Sequence, residues 1–176
     1  MKYLKDIQEQ GMGTWYFEID NDGVAYRQIV YHDDGTCITS NRKHDFYHFM
    51  LAEHPLNTQE SYYKEINQAE FEKLWYEQLQ LGLEDWRRTK TLFPVGTRVE
   101  GYIEAFFPQG TLINLRETPA IGITNTSALK SATPAEWMYP SYRVTAEVSG
   151  YDEVNHWVLL KHAEVIGSQF EEAGHM

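Results

Sequence analysis

From Thr14 the chain reads TWYFEIDNDGVAYRQIVYHDDGTCITSN, with Trp15, Phe17 and Ile19 alternating against Tyr16, Glu18 and Asp20. A period of two is the signature of a half-buried β-strand, because successive side chains leave opposite faces. Asp22-Gly23 and Asp34-Gly35 interrupt the pattern as hairpin turns, in which glycine takes the positive φ that the turn demands. Three antiparallel strands are predicted near 14–20, 24–32 and 36–40, and SYYKEI at 61–66 is a candidate fourth.

The period then changes. In INQAEFEKLWYEQLQLGLEDWRRTK, Phe71, Leu74, Trp75, Leu79, Leu83 and Trp86 recur at helical spacing and form one apolar stripe. Asn67 is placed to cap the first turn, with Glu70 reaching back as in a capping box. The spacing predicts a helix near 68–90 covering the open face of the antiparallel meander. Gly82 costs it about 1 kcal/mol relative to Ala, which makes the helix prone to bend or fray there. Residues 1–92 are read as an α+β domain.

Phe93-Pro94 marks a boundary, since proline drives its predecessor out of helical space. Strands are predicted near 97–106, 110–116, 119–124, 141–150 and 155–163. Between the third and fourth lies SATPAEWMYP, where Thr133 is placed to cap a short helix, Pro134 to open it and Glu136 to complete a capping box. This layout is that of a five-stranded Greek-key barrel over 93–166, followed by a loose tail over 167–176. The fold class is α+β and mostly β: a meander with a packing helix, then a small barrel.

Composition narrows the function classes. Aromatic residues make up 14% of the 176 residues, enough for two small cores to bury much area per residue. Cys37 is the single cysteine, which excludes an intramolecular disulfide and a multi-cysteine zinc site and fits a reducing, cytoplasmic setting. The N-terminal MKYLKDIQEQGMG lacks an apolar signal region, and no run approaches the roughly 18 apolar residues of a membrane span. A net charge of -11 repels polyanions at long range, so nucleic acid would need a local basic or aromatic surface.

Several stretches together resemble an S1 domain: Gly96-Thr-Arg-Val99-Glu-Gly101-Tyr-Ile103, Gly110-Thr-Leu-Ile-Asn-Leu115, Gly122-Ile-Thr-Asn125, Val144-Thr-Ala-Glu-Val148 and Trp157-Val-Leu-Leu-Lys161. The similarity covers roughly 93–165 and leaves the N-terminal half outside it. It implies an oligonucleotide-binding (OB) barrel and single-stranded RNA as a partner. RNA-binding members of the family carry aromatics around the second-strand glycine and a histidine at the end of the third strand. Gln109, Leu112 and Asn125 occupy those positions here, which removes stacking surface worth roughly 1–3 kcal/mol per base. Tyr102, Phe106, Phe107 and Trp157 are nearby aromatics that compensate if they face outward, and Arg98, Arg116, Arg143 and Lys161 are candidate phosphate contacts. Residues 93–166 nevertheless hold five Lys or Arg against eight Asp or Glu, a net of -3.

In the first domain, ITSNRKHDFYHF gathers Arg42, Lys43 and His44 after a strand, and with Arg27 they form a secondary ligand patch whose plainer reading is a solvated loop. His44 and His48 would share a face of a helix, but Phe46, Phe49 and Met50 point to a packed short helix and not to a metal site. Cys37 reads as a small core residue before a catalytic thiol. With no phosphate-cradling glycine loop, Walker lysine or serine elbow, no enzymatic mechanism and no cofactor are anchored. Two readings follow: a non-enzymatic protein that binds RNA or another single-stranded nucleic acid, or a protein-interaction or small-ligand module whose barrel has lost RNA binding.

Overall fold

The computed structural model describes residues 1–7 and 11–168. It divides into two compact units, Met1–Gly82 and Leu83–Met176, which are described separately.

The first unit is a five-stranded antiparallel sheet: β1 (Lys2–Asp6), β2 (Thr14–Ile19), β3 (Ala25–Tyr31), β4 (Cys37–Thr39) and β5 (Tyr63–Ile66), in the order β4-β3-β2-β1-β5. At the first turn the Asp20 carboxylate accepts from the backbone N–H groups of Asp22 and Val24, each at 2.9 Å, and Gly23 follows with φ 85°. The meander of β2, β3 and β4 forms as the alternation predicts, but it is not half-buried. Tyr3, Tyr16 and Ile29 pack on one face against Phe71 and Trp75 of helix α1 (Gln68–Leu81). Leu4, Phe17, Ile19 and Ala25 pack on the other, under Leu51, Ala52 and Leu56 of the long loop before β5. β1 is absent from the sequence prediction because KYLKD shows no alternation: Tyr3 and Leu4 are adjacent, and each is buried on a different face.

Helix α1 is capped by Asn67, whose Oδ1 accepts from Glu70 N–H at 2.8 Å, and stops at Gly82. A second helix, α2 (Leu83–Leu92), begins at once. The continuous stripe over one long helix is therefore corrected. Leu83 and Trp86 pack in the barrel cluster, not on the meander, because the break at Gly82 hands the C-terminal turns to the other core.

The second unit is a closed barrel of β6 (Arg98–Phe107), β7 (Gly110–Leu115), β8 (Ile121–Thr124), β9 (Tyr142–Asp152) and β10 (Trp157–Ser168). Its order is β10-β8-β7-β6-β9, with β10 parallel to β8 and every other pair antiparallel. This is a five-stranded OB-like barrel. Val99, Ile103, Ile113, Leu115, Val144 and Val148 fill its interior. Gly101 permits the crossing of β6 and β7, since a Cβ there would sit 2.2 Å from the carbonyl oxygen of Asn114. The helix between the third and fourth strands is α3 (Thr126–Ser131), earlier than expected and capped by Asn125; Ala135–Trp137 is only a 3-10 turn without a side-chain cap. Gly167 and Ser168, expected in a tail, belong to β10 and pair with Arg143 and Tyr142 of β9, and the remainder of that tail lies outside the described residues. Among the described residues no helix is long and apolar enough to cross a membrane.

Candidate ligand-binding surfaces

The barrel has two outer surfaces of opposite character. On β6, Arg98, Glu100 and Tyr102 alternate with the interior Val99 and Ile103; on β9, Arg143, Thr145 and Glu147 alternate with Val144, Ala146 and Val148. The register sets Arg98 opposite Glu147, Glu100 opposite Thr145 and Tyr102 opposite Arg143, and Lys161 of β10 opposite Glu147. Four of the expected nucleic-acid contacts, Arg98, Tyr102, Arg143 and Lys161, thus share one polar face. Their charges are largely spoken for. Glu100 lies 3.4 Å from Arg116 and 3.9 Å from Arg143, Glu147 lies 3.6 Å from Lys161, and Arg98 donates to the Thr145 hydroxyl at 3.0 Å. Glu164, opposite Thr145, adds a further carboxylate. Such exposed pairs contribute about 0–1 kcal/mol each, but with carboxylates nearly matching the cations they leave this face only weakly positive.

The other surface belongs to β7, β8 and the start of β10. Ile113 and Val158 point into the barrel, so their neighbours Leu112 and Trp157 point out, and Ile123 sits beside Leu112 across the strand pair. This outward face is nonetheless buried: Leu112 is 0% exposed, Trp157 1% and Ile123 8%. The Phe107 ring meets Trp157 edge-on at 6.0 Å. Leu112 and Trp157 therefore act in packing, while Phe107 is half-buried beside Trp157, and the aromatic compensation expected of Trp157 is not a surface platform. Gln109 is half-buried in the turn joining β6 to β7. Asn125 is exposed, and its Oδ1 accepts from Ala128 N–H at 2.8 Å as the cap of α3. Alternation in β7 and β8 announces two faces; that both are covered depends on partners distant in sequence.

In the first unit, Arg27 does not join the patch expected of it. Its side chain is buried under α1, where it donates to Glu18 (3.0 and 2.6 Å) and to Glu72 (3.1 Å), with the guanidinium 5.0 Å from the Phe71 ring and 5.1 Å from Trp75. Burial opposes its charge, but the hydrogen bonds to Glu18 and Glu72 outweigh that and hold Arg27 above its ordinary pKa. The same contact holds Glu72 below the ordinary carboxylate range.

Arg42, Lys43 and His44 do come together, on a loop whose form the sequence reading missed. The segment is a tight hairpin and not a short helix: Lys43 bridges His48, His44 N–H donates to Tyr47 O at 2.7 Å and Phe49 N–H to Arg42 O at 3.1 Å. Phe49 is buried at its base, while Phe46 at its tip is 90% exposed and Tyr47 44%. Thr39 N–H donates to Nε2 of His44 at 2.9 Å, tying the loop to β4. Burial, and after it the charge of Arg42, push His44 below its usual value of 6.5, which keeps the ring neutral as that bond requires.

Between this hairpin and the β3–β4 turn lies a cleft of about 740 Å³, lined by His32, Cys37, Arg42, Lys43, Phe46 and Tyr47 among others. Tyr47 leans on the His32 ring with centroids 5.9 Å apart, and Nε2 of His32 is buried without a hydrogen-bond partner. Asp33, Asp34 and Asp45 also line the cleft. Burial pushes the Cys37 thiol up to about 11, so it is no nucleophile near neutral pH. The exposed Phe46-Tyr47 pair is the feature that sequence reasoning overlooked. Its one local signal is two adjacent aromatics inside a polar loop.

No family model and no curated protein matches the chain. Among solved structures it is similar to the apo form of Mycoplasma genitalium RNase R, at 18% identity and a TM-score of 0.35. That match covers 47% of this chain and 15% of the RNase R chain.

Proposed function

We propose that this protein binds nucleobase-bearing ligands, a nucleotide or the unpaired nucleotides of a short single strand, in the cleft beside Phe46, and that its OB-like barrel serves chiefly as a packed scaffold. The observation that carries this reading is the exposure of Phe46, at 90%, next to Tyr47, Arg42 and Lys43 on one cleft. A flat ring in water beside two cations is the equipment of single-strand binding: the ring stacks a base and the cations meet phosphate. Asp33, Asp34 and Asp45 bound the ligand's size, because one or two phosphates can sit near Arg42 and Lys43 while a long polyanion meets three carboxylates.

The test is fluorescence anisotropy with labelled five-nucleotide single strands and nucleoside monophosphates at low salt. Binding is expected with a weak salt dependence, a slope of about -0.7 for each phosphate engaged. Phe46→Ala weakens it roughly tenfold, as loss of one stacked base does. Absence of binding at low salt, or unchanged affinity in both Phe46→Ala and Arg42→Ala, overturns the reading. A second reading rests on the pairing of Tyr102 with Arg143 on the barrel's polar face. If Arg143→Ala abolishes binding and Phe46→Ala does not, the nucleic-acid surface is the barrel and the finer S1 resemblance extends to function.

A further inference from the structure

The wall of the cleft beside Phe46 contains a polar atom that no described residue satisfies. Nε2 of His32 is buried and has no hydrogen-bond partner among the described residues. A polar atom buried in this state carries a desolvation cost that no hydrogen bond offsets. Native structures keep few such atoms, and one that lines a cleft is placed to receive its bond from a ligand.

The backbone holds His32 firmly. Its N–H donates to Thr36 O at 2.9 Å and its carbonyl accepts from Gly35 N–H at 3.0 Å, which fixes the residue at the base of the β3–β4 turn. The Asp34 carboxylate, which shares the cleft, is turned to Thr36, accepting from its N–H at 2.9 Å and from its hydroxyl. What leans on the imidazole is the Tyr47 ring, with centroids 5.9 Å apart and planes tilted by 31°. Tyr47 is 44% exposed, and its hydroxyl makes no hydrogen bond among the described residues.

We infer that His32 reads, through Nε2, the edge of the base that Phe46 stacks, and that Tyr47 turns aside to admit it.

The inference rests on the proposal that this cleft takes a nucleotide. Phe46 is the chain neighbour of Tyr47 and lines the same cleft, so a base stacked on it brings its edge to the wall that Tyr47 screens. That edge carries N–H donors beside carbonyl or ring-nitrogen acceptors, and an imidazole nitrogen meets either kind according to its tautomer. The phosphate has other partners, because Arg42 and Lys43 are exposed whereas Nε2 lies behind a ring. The unmet atom also makes stability and affinity oppose each other. His32→Phe keeps a ring against Tyr47 and removes the unsatisfied nitrogen, so it stabilises the protein while it deletes the contact with the base.

The test is calorimetric titration of the full chain with adenosine monophosphate and with ribose 5-phosphate, which has the sugar and phosphate but no base, alongside thermal melts. His32→Phe is expected to weaken the monophosphate about tenfold, to leave ribose 5-phosphate unchanged, and to melt about 2–4 °C above the parent. His32→Gln, which retains a hydrogen-bonding group, is expected to recover part of the lost affinity. Unchanged monophosphate affinity in His32→Phe, where Phe46→Ala weakens it, overturns the inference and leaves the Phe46 site standing. A lower melt of His32→Phe with equal losses for both ligands also overturns it, as the pattern of a packing residue. If the parent binds no monophosphate, this inference and the nucleotide reading fall together.

Discussion

Arg27 on β3 lies against Glu72 on α1, 45 residues away in sequence, with Nη1 3.1 Å from the carboxylate. Glu18 on β2 holds the other side of the guanidinium, and the rings of Phe71 and Trp75 lie on it. The group that most resembled a free cation in the sequence is the joint between sheet and helix.

Removing that joint from one side is predicted to be costly. Arg27→Met leaves the Glu18 carboxylate, whose side chain is 12% exposed, without its cation, and should destabilise the first unit by about 3–5 kcal/mol. The triple change Arg27→Met, Glu18→Leu, Glu72→Leu should recover most of the loss, because no charge is then left buried. Urea denaturation followed by tryptophan fluorescence checks both.

Stability should fall on mild acidification. His156 stacks on Trp86 with centroids 4.9 Å apart, and burial pushes it below its usual 6.5. Between that lowered value and 6.5 the unfolded chain binds the proton that the folded protein refuses. The stabilisation is complete above about 6.5 and declines as pH falls through the window beneath. Glu153, lowered chiefly by the hydrogen bond from Trp86 Nε1 at 2.6 Å, loses its share only below 4.5, which separates the two. A series of thermal melts from about pH 7.5 to about pH 5 should show the decline, and His156→Phe should lessen it, leaving the share of His44 in the first unit.

Gly101→Ala should destabilise the barrel by about 1–3 kcal/mol, since the new methyl would meet the Asn114 carbonyl at 2.2 Å and the Ile113 side chain at 2.7 Å. Backbone cannot yield as a side chain does. A melt that matches the parent protein would show that β6 and β7 do not approach so closely.

Cys37 should be slow to react. With its pKa raised from 9.0 to about 11 by burial, the thiolate fraction near pH 8 is roughly a hundredfold below that of an unburied thiol. Labelling with iodoacetamide in native and urea-unfolded protein measures this, and equal rates would refute it.

Asn125→Ala should cost about 1 kcal/mol through loss of the α3 cap, with Asn125→Ser restoring most of it and neither changing affinity for single strands. A loss of nucleic-acid affinity in Asn125→Ala without loss of stability would instead make this side chain a ligand contact.

The amino-acid sequence by itself determined the local elements: the alternation of Trp15, Phe17 and Ile19, the Asp-Gly turns, the Asn67 cap and the glycine-punctuated strands after Pro94 each record an interaction within a few residues. The two α+β and barrel halves of the architecture were legible from these. It also placed Arg42, Lys43 and His44 on one loop, because they are neighbours in the chain. What only the tertiary structure decided is which faces are covered. Leu112 and Trp157 point out of the barrel yet are buried, Arg27 is enclosed beneath α1, Trp86 serves the barrel core, and Phe46 is held out in solvent by the hairpin under it. Alternation tells that a strand has two faces. The burial of each is fixed by elements tens of residues away, and so is the difference between an aromatic that packs and one that can bind.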